Sequence, residues 1–146
     1  SIFVTGEGGF GGPRGPLIGG PRRPSREPDH VVSDATRPDQ ALLYRLSGDR
    51  NRLHSDPAVA GRAGFERPIL HGLCTFGFAG RALLNALCDG DPARFQSMSG
   101  RFAKPGFPCD TLTTRIWVDR ETALFDTHNQ RGEALLERGE FSFAKT

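Results

Sequence analysis

RPILHGLCTFGFAGRALLNALCDG (67–90) and, further on, TLTTRIWVD (111–119) are the two stretches that decide the fold. In the first, Leu73, Phe76, Gly80, Leu83 and Leu87 recur at helical spacing, while Cys74, Phe78 and Ala79 make the other side apolar too. This predicts a helix from about His71 to Cys88 that is buried nearly all round. In the second, the period changes to two: Leu112, Thr114, Ile116 and Val118 share one side and Thr113, Arg115 and Trp117 the other, as in a strand. Further strands are expected over 95–104, 123–129 and 134–144. One buried helix followed by several strands suits an antiparallel sheet curled around that helix, so the fold class is α+β.

Upstream, Thr36 is placed to cap a helix running to Ser47, with Ala41, Leu42, Leu43 and Leu46 as its apolar face and Gly48 as its stop. The following residues, DRNRLH, then lie on an exposed loop. Asp56-Pro57 reads as a cap followed by proline in the first helical position, opening a short helix to about Gly61. Gly6 to His30 is rich in Gly, Pro and Arg and predicts a crossing linker. Gly6, Gly8 and Gly11 match GxGxxG literally, but Pro13 and Pro16 follow where a dinucleotide site needs a helix. Ile2-Phe3-Val4 resembles a strand with no lead-in, as in the middle of a longer chain. The expected organisation is therefore a terminal strand plus linker over 1–30 and one domain over 31–146.

The chain has 146 residues, 36% of them hydrophobic, which suits one globular domain. Its 19 basic and 17 acidic side chains are too evenly balanced to argue for nucleic acid. Cys74, Cys88 and Cys109 are odd in number and form no CxxC pair, so neither a disulfide framework nor a zinc knuckle is suggested and a reducing cytoplasm is expected. The most apolar stretch, Ile69 to Leu87, is interrupted by His71, Arg81 and Asn85 and falls short of a membrane span. No signal peptide is legible at the start, and Ala144-Lys145-Thr146 does not make a Ser-Lys-Leu type of peroxisomal address.

Asp49, Asn51 and His54 fall on one tight loop, where a carboxylate and an imidazole can converge on a water molecule. Such a pair can take a proton from water and return one to a neighbouring carbon, as hydration of a conjugated double bond requires. The plainer alternative is that Asp49 and Asn51 satisfy turn backbone and His54 is a surface side chain. Gly72 adds weight to the chemical reading. At a helix N-terminus its N–H has no intrahelical acceptor, and it can stabilise a developing enolate oxygen that approaches unhindered by a side chain. Gly72 can equally permit tight packing of helix on sheet.

YRLSGDRNRLHSDP (44–57) followed by AGFERPILHGLCTFGFAGRALL (63–84) resembles the hydratase-2 signature of the MaoC-like family, and GGFGG (8–12) and RFAKPGFPCDTL (101–112) are similar to its flanks. The resemblance implies a hot-dog fold, with the helix of 71–88 wrapped by an antiparallel sheet. It implies that Asp49 and His54 hold the attacking water, that Asn51 supports them, and that the Gly72 N–H meets the thioester oxygen. The implied reaction is reversible hydration of a trans-2-enoyl-CoA to the (3R)-3-hydroxyacyl-CoA, with no metal or redox cofactor. Arg52 stands where the signature usually has proline, so a less restrained loop is expected. Relatives carrying GGFGG here have a preceding, non-catalytic hot dog that shapes the acyl pocket. A lone hot dog leaves an edge and an apolar face open, so a homodimer or docking of a separate N-terminal half is expected.

Of the remaining residues, His71 reads as a packing or capping residue, Cys74 as a small buried hydrophobe, and Trp117 as core. Arg101, Lys104 and the linker residues Arg14, Arg22, Arg23 and Arg26 suit coenzyme A phosphates chemically, but a solvated surface explains them as well. Two other activities stay in view: a hot-dog thioesterase, which would release free coenzyme A, and a non-catalytic half that binds acyl-CoA or a partner.

Overall fold

A computed structural model describes residues 23–144 together with Gly9 and Gly11. The strand expected at 2–4, most of the linker glycines, Arg14 and Arg22 lie outside the described residues. His30–Ala35 forms β1, which the sequence pattern did not predict. It is a six-residue edge strand with Val31 58% exposed, so it carries little of the apolar alternation by which strands are read. Its register on the later strand is fixed at the entrance. The Asp29 N–H donates to the Ile116 carbonyl at 2.8 Å and its carboxylate accepts the Val118 N–H at 2.7 Å. Bonds from the Arg26 side chain and the Val118 N–H hold that carboxyl down at about 2.

Thr36 does not cap a helix. It extends β1, and both its N–H and its hydroxyl donate to the Asp110 carbonyl, at 2.9 and 2.8 Å. The reason is Pro38, because the residue before a proline is pushed out of the helical region and no helix can run through Arg37. The helix α1 accordingly covers only Gln40–Tyr44, continues as a 3-10 turn over Arg45–Ser47, and stops at Gly48, whose φ of +109° a side chain would resist. The next helix, α2 (Pro57–Arg62), is as expected: the Asp56 carboxylate accepts the N–H groups of Ala58 and Val59, at 2.9 and 3.3 Å.

The long helix, α3, spans Gly72–Cys88 with His71 in the N-cap position. Ala79, Leu83, Leu87 and Cys88 turn inward onto the sheet, but the helix is not buried all round. Leu73, Gly77, Arg81 and Asn85, four residues apart, make an outward stripe on which Leu73 is 62% exposed. Strands β2 (Phe95–Phe102), β3 (Thr111–Asp119), β4 (Thr122–His128) and β5 (Ala134–Phe143) complete one antiparallel sheet in the order β1-β3-β4-β5-β2. The architecture is thus the α+β arrangement that the helix and strand periods predict. Strand β2 is the second edge of the sheet, mostly exposed, and ends on Phe102.

The core forms where α3 meets Ile116, Ala123, Phe125, Leu136, Phe141 and Phe143 of the sheet. Trp117 is 3% exposed but does not belong to it. It alternates with Ile116, so its ring lies on the opposite side of the sheet, where its Nε1–H donates to the Arg26 carbonyl at 2.9 Å and Arg115 lies 5.8 Å from the ring centroid. The segment entering β1 therefore covers the back of the sheet. A bulge between the β4 pairs Phe125↔Gly139 and Thr127↔Leu136 puts Arg138 at φ +52° and carries Gly139 against Phe125. A Cβ on Gly139 would sit 2.5 Å from the Phe125 carbonyl oxygen and 2.6 Å from its ring. Gly139→Ala is expected to destabilise the fold by about 2–3 kcal/mol, read by urea unfolding, because neither the ladder nor the core ring can yield. An unchanged midpoint would mean that the bulge relaxes at no cost.

Candidate active site

The loop after Gly48 is built from its own polar side chains. The Asn51 N–H donates to Asp49 Oδ1 at 3.1 Å, and Asn51 Oδ1 accepts the Leu53 N–H at 3.0 Å, opening a 3-10 turn over Arg52–His54. The turn-forming role considered for Asp49 and Asn51 is therefore real, and it leaves the second Asp49 oxygen free to point elsewhere. Arg52 does not leave the loop untied. Its guanidinium pairs with Asp56 at the head of α2, and bonds from that side chain and from the Val59 N–H lower the Asp56 carboxyl. On the other flank Arg45 donates to the Ser55 hydroxyl at 2.8 Å.

The approach to α3 is held from below. Ile69 and Leu70 are buried, and the Leu70 N–H donates to the Gly106 carbonyl at 2.8 Å, fixing the segment 68–71 on the loop that ends at Asp110. Asp110 is fully buried and braces that loop through the Phe107 N–H and the Gln130 amide, at 2.9 and 3.0 Å. The carbonyl of Ile69 is thereby presented to His54, whose Nδ1 lies 2.9 Å from it. A carbonyl can only accept, so the His54 proton sits on Nδ1 and its Nε2 carries a lone pair.

His71 joins the cluster, which its reading as a packing or capping residue did not anticipate. Its ring stacks on that of His54 with centroids 3.7 Å apart, and Tyr44 lies at 4.7 Å. The His71 Nε2–H donates to the Asp49 backbone carbonyl at 3.2 Å. Burial, and secondly the nearby His54, push the His71 imidazole below its usual range. Asp49, His54 and His71 each bring one oxygen or nitrogen within 4.8 Å of the others, a spread also open to a divalent cation. His71 could join such a set only by surrendering its bond to Asp49 or by exposing its buried Nδ1.

Gly72 follows directly. The N–H groups of Cys74 and Thr75 already turn back to the His71 carbonyl, at 3.0 and 3.2 Å, whereas among the described residues no acceptor takes up the Gly72 N–H. A Cβ there would stand 3.1 Å from the Phe102 ring, so close packing is a second reason for glycine. Beside His54, a groove of about 260 Å³ runs between Pro38, Ala41, Leu42, Pro68 and Pro108, with Arg67 at its rim. Of the other residues weighed, Cys74 is buried and its thiol is raised by burial, as a packing residue's would be. Lys104 pairs with Glu133 at 3.1 Å, and Arg23 lies over Trp117 on the back of the sheet.

Residues 21–138 match the family described as MaoC like domain. Peroxisomal multifunctional enzyme type 2 of Mus musculus is 52% identical over 129 residues, covering 87% of this chain and 18% of that protein. The 3-hydroxyacyl-thioester dehydratase Y of Mycobacterium tuberculosis is 55% identical over 118 residues, covering 80% of this chain and 41% of that protein. Among solved structures, a MaoC-like dehydratase from Phytophthora capsici superposes with a TM-score of 0.88 at 43% identity, over 96% of this chain and 48% of its own length. The chain thus spans less than half the length of each of these three similar proteins.

Proposed function

The chain belongs to the MaoC-like domain family, and from that premise we propose that it adds water reversibly across a trans-2-enoyl-CoA to give the (3R)-3-hydroxyacyl-CoA. The observation that carries this is the His54 ring at the N-terminus of α3, its Nδ1–H tied to the Ile69 carbonyl and one ring nitrogen within 4.8 Å of an Asp49 carboxylate oxygen. Water placed between them gives a proton to the pair as its oxygen bonds to the β-carbon. The electrons of the double bond move onto the thioester oxygen, which the Gly72 N–H and the positive end of the helix stabilise. A proton returned to the α-carbon completes the addition. Asp49 and His54 act as a unit, with Asn51 holding the loop. The thioester already makes the β-carbon electrophilic, so this chemistry needs no metal or redox cofactor.

The acyl-CoA substrate and this division of labour are carried from the signature residues and from what the similar proteins are named for. The outward stripe of α3 and the open edge of β2 support pairing of the domain, 31–146, with a second copy or with a separate hot-dog half. Among the described residues no helix is long and apolar enough to cross a membrane. Cys74 and Cys88 are buried free thiols and Cys109 an exposed one, which suits a reducing cytoplasm.

The purified chain, offered crotonyl-CoA and a decenoyl-CoA, is expected to remove the conjugated enoyl-thioester absorbance and yield the (3R)-hydroxy product. Free coenzyme A assayed in the same mixture should not rise. Its release would favour a thioesterase, and a folded chain with no turnover would reduce this domain to a partner-dependent half. Light scattering on the same sample reads whether it is paired.

A further inference from the structure

His71 takes no part in the proposed proton transfers, yet it is 2% exposed and touches both residues that do. Because its Nε2–H is committed to the Asp49 carbonyl, its Nδ1 is a bare acceptor, buried and without a partner. A buried polar atom left unpaired costs stability, and a phenyl ring of nearly the same shape would avoid that cost. A residue that only filled space would have no use for the imidazole.

The geometry that the imidazole does provide is specific. One bond fixes the backbone of Asp49, and the stacked face, 3.7 Å from the His54 centroid, fixes the plane of the second ring. The His54 Nδ1–H bond to Ile69 fixes the direction in which that ring points. His71 is also the N-cap of α3, one residue before Gly72, so the same side chain ties the acid–base pair to the helix end that would meet the thioester oxygen. We propose that His71 is the positioning residue of this site, setting the spacing between Asp49, His54 and the Gly72 N–H without touching substrate. This rests on the hydratase reading above.

A second proton on His71 would put an N–H at Nδ1 in the interior with no acceptor, against the face of His54. The charged or titratable groups facing His71 are His54, Asp49, Arg45 and Tyr44, of which only Asp49 would favour that proton, and burial opposes it first of all. His71 therefore stays neutral where an ordinary histidine becomes charged.

Two variants and one spectrum test this. His71→Phe keeps a flat ring against His54 and loses the donor; His71→Gln keeps a donor and loses the ring. With folding checked by circular dichroism, each is expected to lower kcat on the order of 10- to 100-fold, with KM changing less than about threefold, as misplacement of reacting groups does. In the unsubstituted chain, nitrogen-15 NMR of the histidine rings should find His71 as the Nε2–H tautomer and His54 as the Nδ1–H tautomer. His71 should remain neutral below the pH at which a free histidine takes up its second proton, because burial and the facing His54 oppose the charge. Folded variants with unchanged kcat would overturn the proposal. So would a His71 ring protonated near pH 6.5, or one carrying its proton on Nδ1. The NMR result stands if the variants fail to fold. An unsubstituted chain that hydrates nothing removes the hydratase reading, while the spectrum still decides whether His71 holds the cluster.

Discussion

Asp49→Asn is expected to lower kcat for enoyl-CoA hydration by about 10³-fold, His54→Ala by a similar factor, and the double variant by little more than either. The size follows from what each substitution removes. An asparagine at 49 still offers an oxygen to the Asn51 N–H, so the turn survives, but the side chain can no longer share a proton with water. Removing His54 takes away the lone pair at Nε2, and Asp49 alone has no partner through which to return a proton to the α-carbon. The two lie in one cluster and would serve one water, so losing the second group after the first costs little further. Kinetics with crotonyl-CoA on the three variants, with folding verified, reads this. Fully multiplicative losses would mean that the two residues act in separate steps, and the shared-water arrangement would have to be abandoned.

The ease with which those residues are found in the sequence reflects local physics. Helix α3 was legible because 17 residues of apolar spacing leave no other secondary structure able to use them, and β3 because its alternation is nearly unbroken. Asp49, Asn51 and His54 were legible because a helix stop at Gly48 and a helix cap at Asp56 confine them to one short loop. Strand β1 was hidden because an edge strand need bury little, and the helix expected from Thr36 ignored the restriction Pro38 places on Arg37.

Other features depend on distance, which spacing does not encode. Trp117 alternates correctly, yet which side of a sheet receives the helix is decided by tertiary packing, and the Arg26 segment covers the other side. Leu73 shares the helical spacing of the core residues but falls on the outward stripe with Gly77, Arg81 and Asn85, because which side of a helix meets the sheet is set by tertiary packing. His71 is hidden in the sequence for a similar reason. Its position next to Gly72 was the available signal: a side chain at the cap of the helix that meets substrate has to lie near whatever else converges there.

The largest effect on stability is expected on the back of the sheet, at Arg115. Its guanidinium makes two bonds to Asp126, Nε to Oδ1 at 2.8 Å and an Nη to Oδ2 at 2.9 Å, while His128 Nδ1 lies 3.3 Å from the same carboxylate. The Asp126 side chain is 10% exposed. Burial alone would raise its carboxyl, but the bonds from His128 and Arg115 outweigh burial and lower it. Folding thus favours the carboxylate, and this contribution is present at neutral pH and lost as pH falls below about 4, through the folded value.

Arg115→Leu removes the two guanidinium bonds and leaves burial opposed only by His128, so the variant's Asp126 is held down less and contributes less to folding at neutral pH. The expected loss is about 3 kcal/mol at pH 7, toward the lower end for a broken buried pair because Arg115 itself is partly exposed. As pH falls from 7 to about 4 the variant's Asp126, held down less, takes up its proton before that of the unsubstituted chain, and the gap between them should narrow. Urea unfolding of both chains at the two pH values measures this. A gap that does not change with pH would trace the loss to the packing of Arg115 over Trp117 and not to an uncompensated charge.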